Sequence, residues 1–153
     1  MTVRYRHTQH NVVTLIASLF AAAGFSAYNF VGETRHWFLW VFCLAIVVFA
    51  LIFWSLSVEV GDREIEWRFG LGLWRYRIAL ADIERAEPVR TTWVGGYGVR
   101  MRPSYRLYNV GGLEAVALSL KSGKTIRIGT DDPQGLVAAL KAGAQDAQEA
   151  QEV

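Results

Sequence analysis

The sequence predicts an α+β membrane protein, in which a two-helix transmembrane hairpin precedes a small β-rich domain of about seven strands that ends in one helix. Three observations predict this order. Two long stretches near the N-terminus lack charged residues, alternating apolar and polar residues follow them, and a last apolar run has helical spacing. The composition agrees, because 52% hydrophobic residues, 20% charged residues and a mean hydropathy of +0.19 are more apolar than a typical soluble domain.

The two uncharged stretches predict membrane-spanning helices at residues 10–31 and 37–56. About 20 apolar residues cross a hydrocarbon core as a helix, and a helix satisfies its own backbone hydrogen bonds in lipid. The connecting segment "GETRH" is short, so residues 10–56 are expected to form an antiparallel hairpin. Residues 1–9 are then expected to be a cytoplasmic N-terminal tail.

A cleaved signal peptide is the alternative for the first span, because Arg4 and Arg6 precede it. The apolar run is longer than a signal core and a second span follows at once, which favours a retained helix. The positive-inside rule places the basic N-terminal tail in the cytoplasm. Two spans return the chain to the same side, so both termini and the β-rich domain are expected to be cytoplasmic.

The first span carries polar residues and has small residues at its middle, including Ala22 and Gly24. Small residues allow two helices to approach closely in a membrane. Two partners for this face remain open from the sequence. It packs either on the second helix of the same chain or on a helix of another membrane protein.

The pattern changes to strands after residue 56. In "REIEWRF", Ile65, Trp67 and Phe69 alternate with charged residues, which is typical of a half-buried strand. "GLG" separates this run from "LWRYRIAL", and "KSG" between "EAVALSL" and "KTIRIGT" indicates a hairpin. The β-rich domain is assigned to residues 57–145, which leaves an acidic C-terminal tail at 146–153.

The adjacent carboxylates in "RIGTDDPQGLVAAL" have a structural explanation. Asp131 or Asp132 is a good N-cap for the last helix, because a carboxylate accepts hydrogen bonds from first-turn N–H groups. Pro133 suits the first helical position, where no N–H is needed. A metal site would need further ligands, and no histidine follows His36. The pair therefore predicts a helix start.

The C-terminal half resembles bacterial pleckstrin-homology-like (PH-like) domains of small membrane proteins. The resemblance lies in "GLEAVALSLKSGKTIRIGTDDPQGLVAALK", whose last hairpin has a "G(K/R)xxRIGTxDP" type of ending, and in the preceding "YGVRMRPSYRLYNVGG". It covers roughly residues 57–141. It implies a PH-like small β-barrel or sandwich with a C-terminal helix, a place in the bacterial inner membrane, and a role in binding or assembly without chemistry.

The sequence offers no catalytic, metal or cofactor set. All three histidines flank the predicted spans and Cys43 lies within one, so no Ser/His/Asp or Cys/His set can be assembled in the β-rich domain. "GLGLW" and "GGYG" lack the lysine of a phosphate-binding loop. The net charge of +2 gives no reason to expect nucleic acid. We therefore expect a non-catalytic protein with no cofactor and no metal.

Basic residues are concentrated between residues 90 and 127, where seven basic residues accompany one acid, Glu114. The candidate contacts for anionic lipid head groups are Arg90, Arg100, Arg102 and Arg106. Beside a membrane each such residue contributes about 1 kcal/mol to binding. The alternative is a solvated arginine surface that pairs with the acidic strands.

Two functions follow from these patterns. The first is an assembly or accessory subunit of a larger membrane protein complex, since aromatic side chains often anchor interfaces. Its candidate interface residues are Trp93, Tyr97, Tyr105, Ala22 and Gly24. The alternative is a module that binds anionic lipid head groups at the cytoplasmic membrane face. The expected partners are other membrane protein subunits, with anionic lipids as the second possibility.

We predict the topology from single cysteines placed at Thr34 and at Ser122 in a Cys43→Ser background. A membrane-impermeant thiol reagent is expected to label Thr34→Cys in intact cells and to leave Ser122→Cys unlabelled, because the loop between two spans lies outside and the domain lies inside. Lysed cells serve as the control, in which both positions must react. Labelling of Ser122→Cys alone in intact cells would overturn the assignment.

Overall fold

The computed structural model describes residues 3–31, 36–91 and 98–149. Its first elements are β1 (Val3–His10), α1 (Val12–Val31), α2 (Trp37–Phe53), β2 (Ser55–Gly61), β3 (Glu64–Phe69) and β4 (Arg75–Ala79). They are followed by a single 3₁₀ turn (Leu80–Asp82), β5 (Ile83–Arg90), β6 (Gly98–Met101), β7 (Arg106–Asn109), β8 (Glu114–Leu120), β9 (Thr125–Gly129) and α3 (Pro133–Glu149).

The strands form two sheets. The first is antiparallel with the order β1-β2-β3-β4, and the second has the order β5-β8-β9-β7-β6, in which only the β7–β9 pair is parallel. The α+β class and the C-terminal helix agree with the sequence-based expectation. Within the described ranges there are nine strands, of which eight (β2–β9) fall in the domain where about seven were expected, and no strand pairing joins the two sheets, so no closed barrel is seen.

The N-terminal segment differs most from its expected form. Residues 1–9 were assigned to a tail, but Val3–His10 forms β1 and pairs antiparallel with β2, from Tyr5 opposite Val60 to His10 opposite Ser55. In its sequence, "VRYRHTQH", apolar residues alternate with arginine only from Val3 to Arg6, and the polar residues that follow give no strand pattern. The open edge of β2 supplies the backbone partners that hold it extended.

The helices continue directly from this pair of strands. Asn11 alone separates β1 from α1, and Trp54 alone separates α2 from β2. The Asn11 N–H donates to the Trp54 carbonyl at 2.6 Å, and the Asn11 Oδ1 accepts from the Thr14 N–H at 2.9 Å as a helix N-cap. The helix limits therefore move from the expected 10 and 56 to 12 and 53, because the outer residues pair as strands.

The core lies between the two sheets and α3. Ile65, Trp67 and Phe69 are buried in it, which confirms the alternation seen in β3. The Tyr108 ring lies 5.2 Å from that of Trp67 and 4.7 Å from that of Tyr76, between centroids. Burial raises the pKa of the Tyr108 hydroxyl above its usual range. These aromatic contacts tie the two sheets together.

The outer face of the first sheet is polar, as the alternation requires. Glu59 on β2 pairs with Arg6 on β1 at 3.0 Å and with Arg68 on β3 at 2.8 Å, and Arg77 on β4 donates to Glu66 at 2.7 Å. Ion pairs of this kind at a surface contribute only about 0–1 kcal/mol each. Arg6 lies directly opposite Glu59, and Arg77 lies directly opposite Glu66. Glu59 lies opposite Glu66 and reaches Arg68 diagonally, so each of these two neighbouring carboxylates has an arginine partner.

The start of α3 confirms the structural role of the adjacent carboxylates. Asp132 Oδ1 accepts from the Gly135 N–H at 3.0 Å as an N-cap, and Pro133 is the first helical residue. Asp132 Oδ2 also accepts from the Tyr5 hydroxyl at 3.0 Å, so the same carboxylate holds β1. Burial, followed by this hydrogen bond, raises the pKa of Tyr5 well above its usual range.

The end of α3 extends beyond the assigned domain limit. The acidic tail was expected to begin at residue 146, but the helix runs to Glu149 and Asp146 forms an ion pair with Arg4 of β1. The apolar spacing ends at Ala144, whereas the alanine, glutamine and glutamate that follow are good or acceptable helix formers. Both ends of α3 are thus linked to the first half of β1.

We predict that Asp132→Ala lowers the free energy of unfolding by about 1–2 kcal/mol, because it removes a helix cap and the partner of Tyr5. Asp131→Ala is the matched control. Its carboxylate is exposed and pairs with His7, so its loss is expected to cost less than about 1 kcal/mol. Unfolding of the full chain in detergent, followed by tryptophan fluorescence, measures both. Equal losses in the two variants would contradict the assignment of Asp132 as cap.

Candidate functional site

The outer surface of the helix hairpin is apolar. Among the helices that the structure describes, only α1 is long and apolar enough to cross a membrane, judged by length and composition. Its most apolar 18 residues have a mean hydropathy of 1.5, and 6% of them are buried. The shorter α2 is also apolar, and its 17 residues lie at the lower limit for a spanning helix. The exposed large side chains on the two helices include Val13, Phe20, Tyr28, Phe30, Trp37, Phe38, Phe42, Leu44 and Phe49.

Aromatic rings lie at both ends of the hairpin. Near the start of α2, the Trp40 ring packs edge-on against Phe30 of α1 at 5.5 Å. At the other end, the Trp54 ring lies 5.0 Å from the His10 ring. Tryptophan is enriched where a membrane meets water, and α2 spans about 26 Å between these ends at 1.5 Å per residue. The spacing is close to the thickness of a hydrocarbon core.

One face of α1 packs on α2 within the chain. The Cys43 thiol lies 3.6 Å from the Ala22 carbonyl oxygen and 3.8 Å from the Ser26 hydroxyl. Nearer the loop, Asn29 Oδ1 accepts from the His36 N–H at 2.9 Å, next to the first turn of α2. Ala22 therefore lies on the intramolecular face, which is the first of the two partners that the sequence left open.

Gly24 lies on a different face of α1. No atom lies within 4 Å of the point that a Cβ would occupy, so the position is open. It lines an apolar groove of about 440 Å³, together with Ala21, Phe25, Tyr28 and Leu39. Two residues that are two positions apart point about 200° apart on a helix. Ala22 and Gly24 therefore lie on different faces of α1. The helical period by itself gives the same result.

Of the three aromatic interface candidates, the structure describes Tyr105. Trp93 and Tyr97 lie outside the described residues. Tyr105 lies in the turn between β6 and β7, where the guanidinium carbon of Arg127 is 3.9 Å from its ring centroid. This cation–π contact engages one face of the Tyr105 ring within the domain.

The four candidate arginines do not come together. Arg90 ends β5, and Arg100, Arg102 and Arg106 lie on or beside the β6–β7 hairpin. Strands β5 and β6 are the opposite edges of the five-stranded sheet. Three strands lie between them, so about 19 Å of sheet separates the two edges. A site that uses all four arginines together is therefore not formed.

Arg102 and Arg106 line a shallow depression of about 340 Å³ that Lys124 also lines, and none of its lining residues is acidic. The depression lies far from the helices along β6. Gly98, at the start of β6, is 3.9 Å from the Phe53 ring at the end of α2, measured from an ideal Cβ. The depression is at the other end of the strand, beside Gly123. These cations therefore lie at the end of β6 that is remote from Phe53.

The turn between β3 and β4 is a surface feature that sequence patterns did not predict. "GLGLW" was interpreted only as a chain break and a weak glycine motif, but the turn lies against the end of α2, where the Gly70 N–H donates to the Ser55 carbonyl at 2.8 Å. Leu71 and Leu73 are 71% and 69% exposed. Two leucines and a tryptophan beside the turn-forming glycines of "GLGLW" were the signal available in the sequence.

No cluster of three or more histidine, cysteine, aspartate or glutamate side chains suited to a metal ion occurs within residues 3–31, 36–91 and 98–149. The chain matches no protein-family model, and no curated protein matches it. The surfaces described above are therefore the basis for a functional proposal.

We predict that Ser26→Cys forms a disulfide with Cys43, since the Ser26 hydroxyl lies 3.8 Å from that thiol. Adding Ala22→Leu is expected to slow this oxidation several-fold, because extra volume in a packed helix contact forces the helices apart. Gly24→Leu is the control and is expected to leave the rate unchanged, as its position is open. Tagging of the remaining free thiols measures oxidation. Equal slowing by both leucines would show that the two positions share one face.

Proposed function

We propose that this chain is a non-catalytic, membrane-anchored PH-like module that acts as an accessory subunit of a larger membrane protein complex. The observation that carries the proposal is the insertion of an apolar helix hairpin between two paired strands, β1 and β2. This arrangement fixes a folded domain to the membrane without a linker. The two-sheet architecture with a C-terminal helix supports the PH-like assignment.

The exposed apolar surface supports a hairpin that spans the membrane as two helices. In water, α1 and α2 would expose a continuous apolar surface much larger than the few hundred Å² that soluble monomers carry. Inside the hairpin, Asn29 and Ser26 have hydrogen-bonding partners on the neighbouring segment, as polar groups in a membrane require. Lipid covers the remaining surface without further contacts from the chain.

The position of β1 supports retention of the first helix. A signal peptide is removed together with everything before it, so cleavage after α1 would remove β1. That loss would break the pairing with β2, the hydrogen bond from Tyr5 to Asp132 and the ion pair of Arg4 with Asp146. An α1 that stays in the membrane leaves the first sheet complete.

The direct junctions support a role in assembly. Because Asn11 and Trp54 are the only residues between helix and strand on the two sides, the domain has a fixed orientation relative to the hairpin. A tethered enzyme or receptor tolerates a flexible linker, whereas a subunit that positions its partners depends on such an orientation. The Gly24 groove offers a surface within the membrane for a helix of another protein, since small residues permit close helix approach.

The alternative function, binding of anionic lipid head groups by arginines, has less support. Arg102 and Arg106 share a basic depression with Lys124, which suits an anionic group. The depression lies at the end of β6 farthest from Phe53, however, and Arg90 lies on the other edge of the sheet. Electrostatic attraction by a membrane surface falls off within about 10 Å at 0.1 M salt. These arginines are better placed for a soluble anion or an acidic protein surface.

We predict that Gly24→Leu weakens attachment to the partner, because a leucine in the groove holds an incoming helix away. Ala23→Leu, on a neighbouring exposed position of α1, is the matched control and is expected to leave attachment unchanged. A photo-crosslinking residue at Tyr28, which lines the groove, measures attachment in whole cells by the yield of crosslinked product. Purification in mild detergent gives a second measure.

The accessory-subunit proposal fails if the native protein runs as a lone monomer in mild detergent and Tyr28 yields no crosslink to protein. Binding of the full chain to anionic but not neutral vesicles through Arg102, Arg106 and Lys124 would then favour the lipid-binding alternative. If Ala23→Leu reduces crosslinking as much as Gly24→Leu, the groove is not the contact.

A further inference from the structure

The turn between β3 and β4 places large apolar side chains in solvent at one end of the molecule. Leu71, Leu73 and Trp74 are exposed, the two leucines by more than two thirds of their surface. A tight hydrogen bond closes the turn, from the Gly72 N–H to the Phe69 carbonyl at 2.7 Å. The side chains are therefore presented by a defined backbone.

Backbone contacts fix the turn beside the last turn of α2. Gly70 has a φ of +43°, a conformation that favours glycine. A Cβ at this position would collide with the carbonyl oxygens of Leu51 and Ile52. The strand register agrees, because Phe69 lies opposite Leu56, just past the junction between α2 and β2. The turn thus lies at the depth of the helix end.

The apolar surface of the turn is continuous with that of the helix. The Phe53 ring, at the end of α2, lies 5.6 Å from the Phe69 ring and 6.0 Å from the Trp74 ring. Arg75 follows immediately and its Nε is 3.4 Å from the Gly72 carbonyl. Leucine prefers lipid, tryptophan prefers the membrane interface, and arginine keeps its charge in water. The leucines, Trp74 and Arg75 follow one another in this order along the chain.

We propose that the Gly70–Trp74 turn inserts into the interface of the lipid bilayer, beside the end of α2, as a third membrane contact of the chain. The proposal rests on the proposed spanning hairpin, because only then does the turn lie at the membrane surface. Its occupant is lipid: the turn continues a lipid-facing helix surface and lies at the same depth. Insertion of two leucines and a tryptophan removes apolar surface from water.

The consequence is a fixed orientation of the domain. A domain that is attached only at the start of α1 and the end of α2 can tilt about the line between these two points. A third membrane contact away from that line prevents the tilt. β3 and β4 lie on the other side of β2 from β1, so the turn lies to one side of the two junctions. The domain is then held by three points on the membrane surface.

The test measures depth in the bilayer with the full chain alone in vesicles of phosphatidylcholine and phosphatidylglycerol. A fluorophore is attached to Leu71→Cys in a Cys43→Ser background, and lipid-borne nitroxides at different depths quench it. Nitroxides near the head groups are expected to quench Leu71→Cys several-fold more than Ser122→Cys, which lies in the remote turn between β8 and β9. The replaced side chain is exposed, so the variant is expected to fold.

Ala23→Cys, at the middle of α1, separates the two proposals. Quenching of Ala23→Cys by nitroxides at the bilayer centre, with Leu71→Cys unquenched, would overturn the proposal for the turn and leave the hairpin intact. No quenching at Ala23→Cys would overturn the spanning hairpin itself. A Leu71→Cys label with an apolar emission spectrum but without lipid quenching would assign the turn to a contact between copies of the chain, which also overturns the proposal.

Discussion

Pairing of β1 with β2 is the interaction on which the other parts of the structure depend. It joins the first residues of the chain to a strand that begins more than 40 positions later, and the intervening chain forms the helix hairpin. The pairing places the start of α1 beside the end of α2, at the same end of the first sheet. It also gives Tyr5 and Arg4 their partners on α3, so the C-terminal helix holds the N-terminal strand. Without β1, the sheet would lose an edge strand and the hairpin would lose one of its two attachments.

The same constraint gives polar residues of the hairpin their positions. Asn11 caps α1, bonds to Trp54 and donates to the Val110 carbonyl, which links the helix start to the second sheet. At the other end, Asn29 bonds to the backbone of His36. The two asparagines therefore have hydrogen-bonding partners at opposite ends of the hairpin. Between them, the contacts of Ala22 and Ser26 with Cys43 keep the helices close.

The surfaces left for binding are consequently separate. The Gly24 groove lies on the hairpin, the β3–β4 turn lies at its end, and the depression lined by Arg102, Arg106 and Lys124 lies beyond the sheet. Single residues, Asn11 and Trp54, join the helices to the strands, so no linker separates these surfaces. This arrangement supports the proposed accessory-subunit role, and it favours Leu71, Leu73 and Trp74 over the arginines for the proposed lipid contact.

The sequence by itself determined the features that local patterns encode. Alternation in β3 identified Ile65 and Trp67 as core residues, a carboxylate before Pro133 marked the start of α3, and uncharged runs located both apolar helices. Only the tertiary structure decided that residues 3–10 form a strand, that Ala22 contacts α2 while the position of Gly24 is open, and that Arg90 lies apart from the other arginines. The physical reason is that an edge strand takes its hydrogen bonds from a remote neighbour, and sheet order brings together or separates residues without regard to their spacing in the chain.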